Sequence, residues 1–344
     1  MVYLDGKPGR TAVINGKKFL FFSGYNYLGI DKVPEFLQLL QEGLERYGWL
    51  FPSSRISNTR LAIFEECEAL LSEITGSEET VLVSSGFNAG RLATHFNVND
   101  IMNAPDSHPS INRNAAANSD FKEWGNWFVQ TTNANPADHS IFASDSLNPI
   151  KATLNDFTFL KHTKKRVSGI IDDSHGIGMT GEQGKGVASI VPALTNLDYI
   201  FTYSLSKAFG IAGGAVSCSK ERAALIRTLP DYTAVTPPAP AQLYAFLKAQ
   251  HIYAIQREKL FNNISYLGEC IKDILGIKFN PDYPIVLLPE AFDEKVLFDN
   301  NIIISSFSYP DPSSAKVNRL VLNALHTKED LEFIAECLHK AILD

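Results

Sequence analysis

Apolar and polar positions repeat at two different periods along the chain, and the switches between them mark out its elements. AVINGKKFLFFSG alternates around an Asn-Gly pair, so residues 12–22 predict a β-hairpin. Helical spacing is expected at about 34–47 and again through Leu61, Phe64, Cys67, Glu68 and Leu71, with Gly76 as the stop. TVLVSS is a short β-rich run that enters a glycine turn and a further helix. RVSGIIDDSHGIG and LDYIFTYSLSK are apolar strands that end in polar groups. Alternating strands and helices predict a mostly parallel sheet covered by helices, and such sheets hold ligands at the carboxyl ends of their strands. After TPPAPAQ one long helical stretch is expected from about 239 to 275. Short strands at PIVLLP and NRLVLNAL and a last helix over 328–343 complete the pattern.

Composition narrows the class. A chain of 344 residues exceeds what one compact core usually holds, which suggests about two domains, and Pro237, Pro238 and Pro240 mark a boundary between them. Apolar residues at 45% against 20% charged allow a large buried core. A net charge of −7 with no Lys/Arg cluster argues against a nucleic-acid partner. Cys67, Cys218, Cys270 and Cys337 are far apart and form no CxxC pair, so neither a metal site nor a disulfide framework is expected. Charges and glycines interrupt the first residues where a signal peptide needs an apolar segment, and no apolar run reaches the length of a membrane span. The expectation is a cytoplasmic protein.

Three segments carry chemistry. In TYSLSKAFGIAGGA, Lys207 follows Ser204 and Ser206 and precedes Gly210, Gly213 and Gly214. A lysine there suits an aldehyde cofactor, with hydroxyls and backbone N–H groups to meet a phosphate. Read alone, it is an ordinary solvated lysine before a flexible turn. In IIDDSHGIGMTGEQGKG, Asp172 stands at a strand end with His175 three residues on. A carboxylate placed against a pyridine nitrogen keeps that nitrogen protonated. The competing reading is a capped turn, which explains the glycines but not a histidine at that offset. In SSGFNAG a strand meets a helix through a glycine, so Gly86 and Phe87 are phosphate candidates, or else a plain connection.

With these motifs in this order, the chain resembles the α-oxoamine synthases, pyridoxal-phosphate enzymes of the fold type I aminotransferase group. YNYLG (25–29), SSRISNT (53–59), SSGFNAG (84–90) and DSHPSI (106–111) are similar to segments of that family, and DDSHGIGMTGEQGKG is close to identical with one. The resemblance implies an α/β fold: a large, mostly parallel sheet domain of the seven-stranded type, with a smaller α+β domain. The expected division is 46–235 for the large domain and 236–344 for the small one, joined by 1–45. The resemblance assigns Lys207 as the Schiff-base lysine, Asp172 as partner of the pyridine nitrogen and His175 as donor to the phenolic oxygen. His108 would lie over the ring. Ser85, Gly86, Phe87 and Ser204 would hold the phosphate, and Thr233 falls where the family reaches a neighbouring subunit's phosphate site. Arg319 and Asn26 would meet the amino acid's carboxylate, a task that suits a two-pronged guanidinium. Without the resemblance, His108 reads as a turn histidine and Arg319 as an edge-strand arginine facing water.

The chemistry so implied condenses an amino acid with an acyl thioester, on coenzyme A or a carrier protein, to an α-amino ketone, in most of the family with loss of CO2. A homodimer is implied with it. Departures lie on the acyl side: Phe64 replaces the usual histidine, GWLFPSSR replaces a glycine-rich stretch, and the family's glutamate is not evident in HSIFASDSLNPI. They leave the substrate open, and they leave room for an aminotransferase or for a non-catalytic binding protein on the same fold.

Overall fold

A computed structural model describes residues 2–97, 99–309 and 311–343. The first half of the chain runs β1 (Thr11–Ile14), β2 (Lys17–Phe22), α1 (Pro34–Tyr47), α2 (Ile63–Thr75), β3 (Glu79–Val83), α3 (Gly86–Ala93), β4 (Ile101–Asn103), α4 (Phe121–Ala134) and β5 (His139–Asp145). The middle adds β6 (Leu147–Asn148), β7 (Thr153–Leu154), β8 (Arg166–Asp172), β9 (Leu197–Ser204), β10 (Gly214–Cys218), α5 (Lys220–Ile226) and α6 (Pro230–Thr233). It ends with α7 (Pro240–Lys248), α8 (Gln250–Ile271), β11 (Lys278–Phe279), β12 (Ile285–Leu288), α9 (Lys295–Asp299), β13 (Ile302–Ser308), β14 (Lys316–Val321) and α10 (Lys328–Leu343). Two compact units result, the larger from residues 34–148 and 154–250, the smaller from those up to 33, 149–153 and from 251 onward. This division differs from boundaries at 45 and 235. Helices α1 and α7 pack together in the larger unit, where Gly43 lets α1 approach the Ala241 backbone.

The larger unit is built on a sheet of order β3-β10-β9-β8-β5-β4, in which β4, β5, β8 and β9 are parallel and β10 runs antiparallel to both its neighbours. Its strands are apolar over most of their length, as burial on both faces requires. Gly169 in β8 leaves room for the rings of Phe142 and Tyr199 beside it. Trp124, Phe128, Phe142 and Phe157 pack into an aromatic cluster between α4 and the sheet. The sheet has six strands among the described residues, where seven were expected. The stretch between β4 and α4, RNAAANSD (113–120), has no β-branched or aromatic residue and forms no strand. Instead Asn114 Nδ2 donates to the Ile101 carbonyl at 2.9 Å, and Asn103 Oδ1 accepts the N–H groups of Arg113 and Asn114, which blunts the β4 edge.

The smaller unit contains the predicted hairpin, turned by Asn15 and Gly16 at positive φ. It belongs to a second six-stranded sheet, β1-β2-β13-β14-β12-β11, in which β2 and β13 are parallel, with Leu20, Phe21 and Phe22 opposite Ile302, Ile303 and Ile304. The helix expected over 239–275 is two helices, broken at Ala249, which leaves the α-helical region at φ −90° and ψ 13°. Neither glycine nor proline marks that break; it coincides with the passage of the chain from one unit to the other. Among the described residues no helix is long and apolar enough to cross a membrane.

Candidate active site

The polar ends of the strands gather at one edge of the larger sheet. β5 ends in Asp145, β8 in Asp172 and β9 in Ser204, while β3 leads through Ser84 and Ser85 into α3. Asp145 and Asp172 are in register on adjacent strands, and Gly214, the first residue of β10, is in register with Ser204 and Val83. This is the carboxyl edge at which a parallel sheet exposes loops to a ligand.

One part of the edge is a backbone cradle. Ser85 caps α3, its side chain accepting the Asn88 N–H, so the N–H groups of Gly86 and Phe87 open the helix with no intrahelical acceptor. A Cβ on Gly86 would stand 2.7 Å from Ser204 Cβ, and one on Gly214 would strike the Ser85 carbonyl. Glycine at both places is therefore a requirement of packing three chain segments around one space. Ser204 Oγ is 2.8 Å from Ser206 Oγ, and the Ser204 N–H donates to Ser174 Oγ at 3.0 Å, tying the cradle to the β8 loop.

Beside it lies a carboxylate with both oxygens engaged. Asp172, 6% exposed, accepts the Ser174 N–H at 2.9 Å on Oδ1 and the Ser110 hydroxyl at 3.1 Å on Oδ2. Ser110 in turn contacts His108: its Oγ is 2.8 Å from Nδ1, and its N–H donates to the same nitrogen at 3.2 Å. The main-chain N–H of His108 donates to Asp145 Oδ1 at 3.1 Å. His108 is open to solvent on one side. Burial of its inner side nevertheless lowers its pKa, which the Asp172 charge opposes and the Lys207 charge reinforces. Burial, and then the neighbouring Asp172 charge, push the Asp145 pKa well above the carboxylate range, with Lys207 acting in the other direction. Lys207 is half-buried in the loop after β9, with Ser206 and Ala208 on either side, and His175 is half-buried after Ser174.

The glycine pattern of the near-identical motif has its own physical origin. Asp173 is buried, its Oδ2 accepts the Val187 N–H at 2.9 Å, and side chains at Gly176 or Gly186 would strike its carboxylate. Burial lifts its pKa to about 7. The loop is thus wound around Asp173, while Gly178, at positive φ, lets it rest against Ala208 and Phe209, next to Lys207. Thr233 lies in α6, which Asn88 of α3 contacts at the Asp231 carbonyl, and its own carbonyl accepts from Ser54 Oγ at 3.2 Å.

Arg319 and Asn26 lie in the smaller unit. Arg319 does not face water from an edge strand: it is 1% exposed on β14, an inner strand, with its guanidinium 5.0 Å from the ring centres of both Tyr25 and Phe307. Nη1 donates to the Pro149 carbonyl at 3.0 Å, Nη2 to the Tyr25 hydroxyl, and Nε meets no partner among the described residues. Asn26 donates one amide N–H to Asp31 Oδ1 at 2.6 Å.

Reading the sequence missed Ser110, Asp145 and Ser174. Ser110 was within a quoted motif but without a role, and Asp145 acquires one only through its register with Asp172. The departures at 64–68 also have an explanation. Glu68 accepts the Leu82 N–H at 2.9 Å and pairs with Arg55 and Arg227, and Phe64 and Tyr232 flank the Arg55 guanidinium. Burial raises the Glu68 pKa against those two cations. Among the described residues no cluster of His, Cys, Asp or Glu is arranged to hold a metal ion.

Comparison with known proteins agrees with this geometry. The Sphingomonas wittichii serine palmitoyltransferase has the same architecture, with a TM-score of 0.80 at 20% identity over 99% of this chain and 91% of that one. The fold is that of the fold type I pyridoxal-phosphate transferases. Residues 150–338 match the sequence profile of aminotransferase class I and II. The 8-amino-7-oxononanoate synthase of Buchnera aphidicola is 28% identical over 367 residues, covering 98% of this chain and 93% of that protein. The enzyme of the same name from Fervidobacterium nodosum is 28% identical over 371 residues, covering 98% and 92%. The chain belongs to the aminotransferase class I and II family, and its relatives include proteins named 8-amino-7-oxononanoate synthase and serine palmitoyltransferase.

Proposed function

We propose that this protein is a pyridoxal-phosphate-dependent acyltransferase that condenses an amino acid with an acyl thioester to an α-amino ketone, with loss of CO2. The observation that carries the reading is the meeting, at one sheet edge, of the glycine-opened cradle, the buried Asp172 carboxylate and the His108 ring, with Lys207 near enough to act on their charges. These residues fit the cofactor. The cradle offers N–H donors and hydroxyls to a phosphate, and a Cβ at 86 or 214 would push apart the segments that form it. Asp172, fixed through both oxygens, is a buried anion suited to a protonated pyridine nitrogen.

When bound, pyridoxal phosphate supplies an electron sink for charge at the amino acid's α-carbon. The chain supplies the rest. Gly86, Phe87, Ser85 and Ser204 bind phosphate, Asp172 holds the ring nitrogen's proton, and His175 donates to the phenolic oxygen. Lys207 would be the residue that holds the cofactor covalently, and its amine would serve as the base that moves the α-proton. His108 covers the ring face. Arg319, with an unused Nε–H, is the reading for the substrate carboxylate. We further propose a cytoplasmic homodimer in which Thr233 serves the neighbouring subunit's phosphate; exposed Trp49, Leu50, Ile56 and Val235 in the larger unit support association.

The test is an absorbance spectrum of the purified protein with pyridoxal phosphate, followed by borohydride reduction and peptide mapping. Label on Lys207, absent from Lys207→Ala, is expected. An amino acid and acyl thioester panel should then release thiol and CO2 together. Formation of a keto acid without thiol release would instead make the protein an aminotransferase, and absence of any bound cofactor would overturn the enzyme reading.

A further inference from the structure

We infer that Ser110 is a positioning residue that fixes the His108 ring with Nδ1 as acceptor and Nε2–H turned outward, and that its hydroxyl links this ring to the Asp172 carboxylate. The inference rests on the site described above, but its geometry belongs to the chain alone.

Ser110 is fully buried. Helix α3 presses on it at Gly90, where a Cβ would stand 2.6 Å from Ser110 Cβ and 2.7 Å from Oγ, so the hydroxyl has little freedom. The Ser110 N–H donates to His108 Nδ1. A nitrogen that accepts cannot carry a proton, so the neutral ring is protonated at Nε2. With Nδ1 already served by the backbone, the one hydroxyl proton goes to Asp172 Oδ2, the anionic and stronger acceptor. The His108 main chain is equally constrained: Asp145 takes its N–H, and its carbonyl accepts from Ile111 at 3.0 Å and Asn112 at 2.9 Å.

The ring therefore presents a fixed donor, Nε2–H, on its open side. Should His108 take up a second proton, Nδ1–H would confront the Ser110 N–H, and the acceptor within reach is Ser110 Oγ at 2.8 Å, which still donates to Asp172. Among the described residues, the hydroxyl is thus the group that lets a charged His108 keep a hydrogen bond at Nδ1. Among the described residues, the charges acting on the ring are those of Asp172 and Lys207, with Asp145 on the His108 main chain. Asp145 accepts the His108 main-chain N–H.

The experiment is nitrogen NMR of the histidine side chains in cofactor-free protein, wild type and Ser110→Ala, with His108 assigned through His108→Gln. In the wild type above the titration, Nδ1 should show the shift of an unprotonated nitrogen and Nε2 that of a protonated one. Ser110→Ala should keep this tautomer, because the backbone N–H remains, and should lower the His108 midpoint by about one pH unit, the effect of losing one hydrogen bond to a charged group. The acid limb of kcat/KM in the loaded enzyme should move the same way. A merely structural Ser110 would change the melting temperature and leave the midpoint in place. An Nδ1-protonated ring in the wild type, or an unmoved or raised midpoint in Ser110→Ala, overturns the inference. Since the NMR measurement uses no cofactor, either result stands whether or not pyridoxal phosphate binds.

Discussion

Asp145 accepts the His108 main-chain N–H and sits in register with Asp172, so its charge and its hydrogen bond can be separated by substitution. Asparagine preserves an acceptor and removes the charge; alanine leaves the N–H unmet. Asp145→Asn should therefore keep kcat/KM within a few-fold, whereas Asp145→Ala should lose about tenfold or more, read in steady-state kinetics at saturating cofactor. At this scale the residues legible in the sequence were those whose meaning is local: Lys207 beside its serines, Asp172 at a strand end, Gly86 at a helix start. Ser110 and Asp145 were not, because each acts through a partner on another strand or loop, and strand pairing is not written in either segment.

Among the elements, α3 and its glycine entry decide whether the cradle exists. Gly86→Ala places a Cβ against the Ser204 backbone and side chain, so cofactor affinity should fall by at least tenfold in a fluorescence titration, while Gly6→Ala, with nothing within 4 Å, should be silent. Gly43→Ala is the structural counterpart. Its Cβ would lie 2.5 Å from the Ala241 carbonyl, and denaturant unfolding should show a loss of about 1–3 kcal/mol. Elements with strong period or turn chemistry were legible: the hairpin, α1, the Gly76 stop at φ 64°, and α10. Helix α4 and the strands β4 to β7, β10, β11 and β13 were not read, most being short or flanked by no distinctive turn. The break at Ala249 was invisible because neither glycine nor proline marks it.

Over the whole molecule, two buried groups give acid opposite effects in the two units. His326, stacked on Phe22, accepts the Asn323 N–H at Nδ1 and donates Nε2–H to the Phe21 carbonyl, and burial holds its pKa down at about 4, from an ordinary value of 6.5. The unfolded chain binds this proton at higher pH than the folded one, so the smaller unit should lose up to about 3 kcal/mol as pH falls from about 6.5 to about 4. Asp173, raised to about 7, is better tolerated when protonated, so the loop around it should loosen as pH rises from about 4 to about 7. Amide exchange at pH 7 and pH 5 should show protection falling around residues 21–22 and 323 while rising around 173–187, and His326→Gln should abolish the first change. The broad architecture, a parallel sheet with its chemistry at the carboxyl edge, was legible; the sixth strand as the last one was not, since it depends on a stretch too poor in β-formers to add a seventh. The parallel pairing of β2 with β13 also orders events on a translating ribosome. The hairpin is made first, yet the strand that completes its sheet is among the last to emerge, after nearly all of the larger unit. The larger unit can close while synthesis continues, whereas the nascent hairpin must wait with Phe19 and Phe22 uncovered, in need of chaperone shelter, and a premature stop before residue 302 would strand it for good.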